Sequence, residues 1–105
     1  MSFLFGKKQT KVTETLDATR LRAEAATLTH TKFREGYDIA AVDAFLVRAG
    51  VALDERRRGA PLSLTPDAVL TAKFASTKFR EGYDQDEVDD LLDRVVVSLR
   101  TPSAG

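Results

Sequence analysis

The chain has 105 residues with no cysteine and a single histidine, His30, and it balances 16 basic against 16 acidic residues. Disulfides, thiolate metal sites and cysteine nucleophiles are excluded, a zinc site is not expected, and a neutral chain lacks the basic excess of a general nucleic-acid binder. Hydrophobic residues at 43% allow a packed core, but no apolar run approaches the ~20 residues of a membrane-spanning helix.

The chain opens Met1-Ser2-Phe3-Leu4-Phe5-Gly6-Lys7-Lys8, apolar before it is basic and too short for a secretory signal. A cytoplasmic location is the expectation. Residues 1–16 are read as a flexible N-terminal segment, in which Phe3, Leu4, Phe5, Lys7 and Lys8 offer an interfacial anchor. The stretch from Thr19 to Leu28 is rich in Ala, Leu, Arg and Glu and predicts a short helix. A loop then leads through Gly36 to Asp38, which is placed as the N-cap of a second, longer helix ending near Arg58. That helix carries Val42, Phe45, Leu46, Ala49 and Leu53 on one stripe, with Gly50 as a weak point. Residues 59–64, with Gly59 and Pro61, read as a linker.

The pattern then starts again. Thr31-Lys32-Phe33-Arg34-Glu35-Gly36-Tyr37-Asp38 recurs, residue for residue, from Thr77 to Asp84, an offset of 46. The match continues at Val42/Val88, Asp43/Asp89, Leu46/Leu92, Arg48/Arg94, Val51/Val97 and Leu53/Leu99, giving 14 identities over 24 positions. Two copies of one unit are present, spanning 17–58 and 65–100, with a tail over 101–105. The second copy starts at Thr65, an N-cap, with Pro66 at the first helical position and a short helix expected to reach about Phe74. Gly36 and Gly82 are expected to supply positive φ in the loops. Asp84 is expected to cap the last helix, with Glu87 returning to the cap's own backbone N–H. That helix carries Val88, Leu91, Leu92, Val95, Val96 and Leu99 on one stripe and Asp86, Asp89, Asp90, Asp93 and Arg94 on the other side.

A copy of this size is too small to bury its apolar stripe alone. The fold class that follows is mainly α, two helix-loop-helix repeats packed with pseudo-twofold symmetry. The stripe residues then serve helix packing or an oligomer interface, and a homo-oligomer is one outcome. Phe33 and Phe79 have two readings: rings packed under their own loops, or rings exposed at the tips. Tyr37 and Tyr83 read as core anchors, and Asp43 and Asp89 as carboxylates in first helical turns. Residues 1–58 hold 11 basic and 8 acidic side chains and residues 59–105 hold 5 and 8, so opposite charges of three divide the chain. No glycine-rich phosphate loop, serine nucleophile motif or metal-ligand spacing occurs, so no enzyme activity, cofactor or metal is expected.

The twice-occurring Thr-Lys-Phe-Arg-Glu-Gly-Tyr-Asp, followed by Val-Asp-x-x-Leu, resembles the DivIVA domain. Copy two is the closer match, from Leu64-Thr65-Pro66 through Phe74 to Glu87-Val88-Asp89 and Leu91-Leu92; copy one lacks the Leu-Thr-Pro start. The resemblance implies a bacterial cytoplasmic scaffold or adaptor, peripheral at the inner face of the cell membrane at the septum or pole. It implies recruitment of protein partners, either a DivIVA-type scaffold or a division protein, and contact with an anionic membrane surface. It places membrane or partner contact at Phe33, Arg34, Phe79 and Arg80. The chain departs from some members in Glu35 and Glu81, which follow the loop arginines, and in the lack of a long heptad region after Leu99. The alternative is a protein-interaction module that docks a larger DivIVA-type scaffold without touching lipid.

Overall fold

The computed structural model describes residues 15–101. Helix α1 (Ala18–Ala25) starts at Asp17, whose carboxylate accepts the Arg20 N–H at 2.7 Å. Strands β1 (His30–Thr31) and β2 (Gly36–Tyr37) precede the long helix α2 (Ile39–Arg57). A short helix α3 (Pro66–Leu70), strands β3 (Ser76–Thr77) and β4 (Gly82–Asp84), and helix α4 (Gln85–Arg100) complete the order. The described part is mainly α, four helices with one small antiparallel sheet.

The helix starts follow the sequence closely. Thr65 Oγ1 accepts the Ala68 N–H at 3.2 Å, with Pro66 at the first helical position. Asp38 accepts from Ala41 N at 3.0 Å and Asp84 from Glu87 N at 3.1 Å. These caps satisfy amides that a helix leaves without an internal partner. The short helices stop sooner than composition suggests, at Ala25 and Leu70. Beyond Leu70 the chain extends, and the Phe74 ring meets Phe45 edge-on at 5.5 Å and Tyr37 at a tilt at 5.3 Å.

Helix α1 packs on α2, α3 packs on α4, and the two long helices meet each other. Val42, Leu46, Ala49, Ala52 and Leu53 from α2 and Val88, Leu91, Leu92, Val95, Val96 and Leu99 from α4 are buried in one core; Phe45 is half-buried against it. The predicted stripes therefore face inward toward each other. Gly50 does not break α2, and a Cβ placed on it would make only an ordinary contact with the Ala18 methyl, at 3.9 Å. Connecting segments are held as well. Leu64 is buried, and Ser63 donates its N–H and hydroxyl to Glu55 at 2.7 and 2.8 Å. Those bonds hold the Glu55 carboxyl below its usual range, the Ser63 N–H being the larger cause. Leu16 is buried too, its N–H donated to Ser98 Oγ at 2.7 Å.

The sheet is absent from the expectations. Its strand order is β1-β4-β2-β3, every neighbour antiparallel. Because β1 and β2 both run against the β4 between them, they are parallel, and residues 32–35 must cross over β4. By the same logic residues 78–81 cross over β2. Parallel neighbours usually need a far longer link. Two-residue strands span only ~7 Å and the crossing only ~10 Å, so a few peptide units suffice. His30, expected in a loop, is part of this sheet.

Candidate functional site

The site consists of the two crossing loops and the groups that fasten them. Each loop of one copy is tied to the other copy. Tyr37 opposes Tyr83 at the centre of the sheet. The Tyr83 hydroxyl donates to Asp43 of α2 at 2.7 Å, and the Tyr37 hydroxyl donates to Asp89 of α4 at 3.0 Å. Burial first, then the hydrogen bond to Asp43 and its negative charge, push the Tyr83 hydroxyl up to about 12. Burial, then the bond to Asp89, raise Tyr37 as well. Both tyrosines are anchors, as expected. Asp43 and Asp89 lie beyond the first turns and act as acceptors rather than as dipole-stabilising charges.

The backbone repeats this exchange. Asp38 N donates to Ala75 O at 2.9 Å and Asp84 N to Thr29 O at 2.8 Å. Asp84 N is thus occupied, and Glu87 does not close a capping box. Its carboxylate instead accepts the Thr29 N–H of the other copy at 2.7 Å.

The two loop glycines differ from expectation in their role. Among the described glycines only Gly59 has positive φ, at 73°. Gly36 and Gly82 sit in strands where a side chain has no room. A Cβ on Gly36 would meet Tyr83 O at 2.8 Å, and one on Gly82 would meet Tyr37 O at 2.8 Å and collide with Thr77 Oγ1. Close strand approach requires glycine here. The positive φ falls instead on Phe79, at 66°, a conformation that a bulky side chain adopts rarely.

Phe33 and Phe79 are 79% and 73% exposed, which overturns the reading in which they pack beneath their loops. The neighbouring arginines are committed elsewhere. Arg34 pairs with Asp84, and Arg80 pairs with Asp38 at 3.3 Å. Each arginine therefore meets the cap residue of the other copy's long helix. Lys32 and Lys78 flank the rings and are exposed, with Lys78 Nζ 5.8 Å from the centre of the Phe79 ring. Glu81 approaches His30 Nδ1 at 3.6 Å. Glu35 lines a shallow cleft with Arg34, Asp84 and Asp86.

Phe3, Leu4, Phe5, Lys7 and Lys8 and the tail after Thr101 lie outside the described residues. Within those described, no helix is long and apolar enough to cross a membrane, and no group of three or more His, Asp or Glu could hold a metal ion. Arg56 is drawn inward to Thr101 O at 2.7 Å. Arg57 and Arg58 pair with Asp54 at 2.8 and 3.0 Å. These bonds, that from Arg57 foremost, hold the Asp54 carboxyl below its usual range.

The cross-copy bonds were missed because their partners lie 40 to 58 residues apart in sequence. The available signal was the duplication itself: Tyr and Asp recur together in both copies. Comparison with known protein families, curated proteins and solved structures finds no match to this chain.

Proposed function

We propose that this chain is a non-enzymatic, DivIVA-like adaptor that presents two aromatic loop tips from one rigid body to an anionic membrane surface while recruiting a protein partner. In this reading the two copies are related by an approximate twofold axis. Support comes from the paired contacts at an offset of 46: His30/Tyr83 with Ser76/Tyr37, Tyr83–Asp43 with Tyr37–Asp89, and Arg34–Asp84 with Arg80–Asp38. An axis that exchanges Tyr37 with Tyr83 across an antiparallel pair stands perpendicular to the sheet. Both loops then lie over the same sheet face, and Phe33 and Phe79 can meet one surface together.

The exposure of both rings is the observation that carries the proposal. One inserted aromatic contributes about 2 kcal/mol, and a nearby cation about 1 kcal/mol at an anionic surface. Stable attachment takes two such signals, which two tips supply. The cellular setting proposed with it is the inner face of a bacterial membrane at the septum or pole. Sedimentation with phosphatidylglycerol vesicles should carry the protein down, and F33A/F79A should abolish this while leaving the fold intact by circular dichroism. Equal sedimentation of the double variant rules out the tips.

A second reading has its own support. Asp84 and Asp38 neutralise the loop arginines, and Glu35 and Glu81 add negative charge. The same rings would then dock a protein scaffold rather than lipid. Absence of vesicle binding, together with a direct complex with a purified DivIVA-type scaffold that F33A/F79A destroys, selects this alternative.

A further inference from the structure

The two long helices differ most on their outer faces. On α2, Val47 and Val51 are 69% and 49% exposed, one turn apart, with Gly50 between them. Together with Leu21 of α1 and Leu46 they line an open, largely apolar groove of about 460 Å³ between α1 and α2. In the second copy the matching residues are Asp93, Val96 and Val97: a charge replaces Val47, and a buried valine replaces Gly50. The first copy thus keeps an apolar cleft, whereas the matching cleft of the second, between α3 and α4, is smaller at about 330 Å³ and is bordered by Asp89 and Asp93.

We propose that Phe3-Leu4-Phe5 of the same chain docks in this groove. Three features of the groove and chain select that occupant. The volume suits a short peptide or small ligand, whereas a second subunit would need an interface of about 800 Å² per partner. Phe3-Leu4-Phe5 is the one cluster of large apolar side chains among residues 1–14. It is joined by nine residues, Gly6 to Glu14, to Thr15, and Ala18 already lines the groove. That link can reach at most about 35 Å, ample for a site beside the start of α1. Tethering makes the docking intramolecular, so modest contacts suffice to hold it. The docked segment covers Val47 and Val51 and competes with any outside protein for them.

The absence of cysteine permits a clean test on the full chain. A nitroxide attached through S2C should cut the methyl NMR intensities of Val51 and Leu46 at least twofold, in a sample where isotope-labelled chains are diluted by unlabelled, unmodified ones. V47D places on α2 the residue that α4 carries, at an exposed position that the fold tolerates, and should restore those intensities. F3S/L4S/F5S should do the same. Undiminished Val51 and Leu46 signals with the spin label in place would overturn the proposal. So would broadening that arises only between a spin-labelled chain and a separate isotope-labelled one, which would assign the groove to a second copy.

Discussion

The first and second copies are identical through the loops that cross between them and different where each packs its own short helix. Residues 31–38 and 77–84 match without exception, and they hold the crossing strands, the glycines, the tyrosines and the paired arginines and caps. Outside them the copies diverge. Helix α2 uses Ala49, Gly50 and Ala52 where α4 uses Val95, Val96 and Ser98. Gly50 and Val47 border the groove between α2 and the eight-residue α1, whereas Val96 and Asp93 border the one between α4 and the five-residue α3. A loop that must fit both itself and its counterpart tolerates little change, because a substitution alters both sides of the exchange. A helix face that meets only a local partner is free to repack.

The largest effects should come from breaking the shared part. Gly36→Ala and Gly82→Ala each force a methyl against a carbonyl of the other copy, and each should cost about 3 kcal/mol. At this size that lowers Tm by more than 10 °C in a thermal melt. An unchanged Tm would mean the strands are not so closely apposed.

The divergent faces should respond less evenly. Val95→Ala empties a fully buried site and should cost about 2 kcal/mol, read by urea titration. Ala49→Val puts the α4 residue into α2, where overpacking should cost about 1 kcal/mol. Equal losses would mean that the two helix faces are packed alike.

The tyrosine pair sharpens the comparison. Tyr83→Phe, which removes a shorter and more buried bond, should cost about 1.5 kcal/mol, and Tyr37→Phe about 1 kcal/mol. Tyr83 also predicts a pH effect. Its folded value is raised, so its contribution is complete below the ordinary tyrosine range near 10 and is lost as pH rises toward about 12. Stability should therefore fall through that window, and less steeply in Tyr83→Phe. The smallest effects belong to the exposed arginines. Arg34→Ala and Arg80→Ala should each cost under about 1 kcal/mol, and a larger loss in either would give these surface pairs a weight that their exposure does not suggest.

Much of the helical framework was legible in the sequence. Asp38, Thr65 and Asp84 announce helix starts by their caps, and the 3.6-residue spacing of Val88, Leu92, Val95 and Leu99 marks the buried face. The sheet was not legible, because strands of two residues show no alternation. The role of Gly36 and Gly82 was misread for a related reason: the need for glycine came from a neighbouring strand, not from the local turn. Glu87 illustrates the same limit, since its spacing from Asp84 fits a local cap while its partner, Thr29, is 58 residues away. Exposure of the two rings depended on that unseen sheet, which fills the space beneath the loops.

The claim that both tips of one rigid body meet a membrane can be read directly, because the chain contains no tryptophan. Single-tryptophan variants F33W and F79W, mixed in turn with phosphatidylglycerol vesicles containing brominated lipid, report insertion at each tip. Quenching and a blue-shifted emission in both variants is the predicted result. An emission that ignores the vesicles in either one would contradict it.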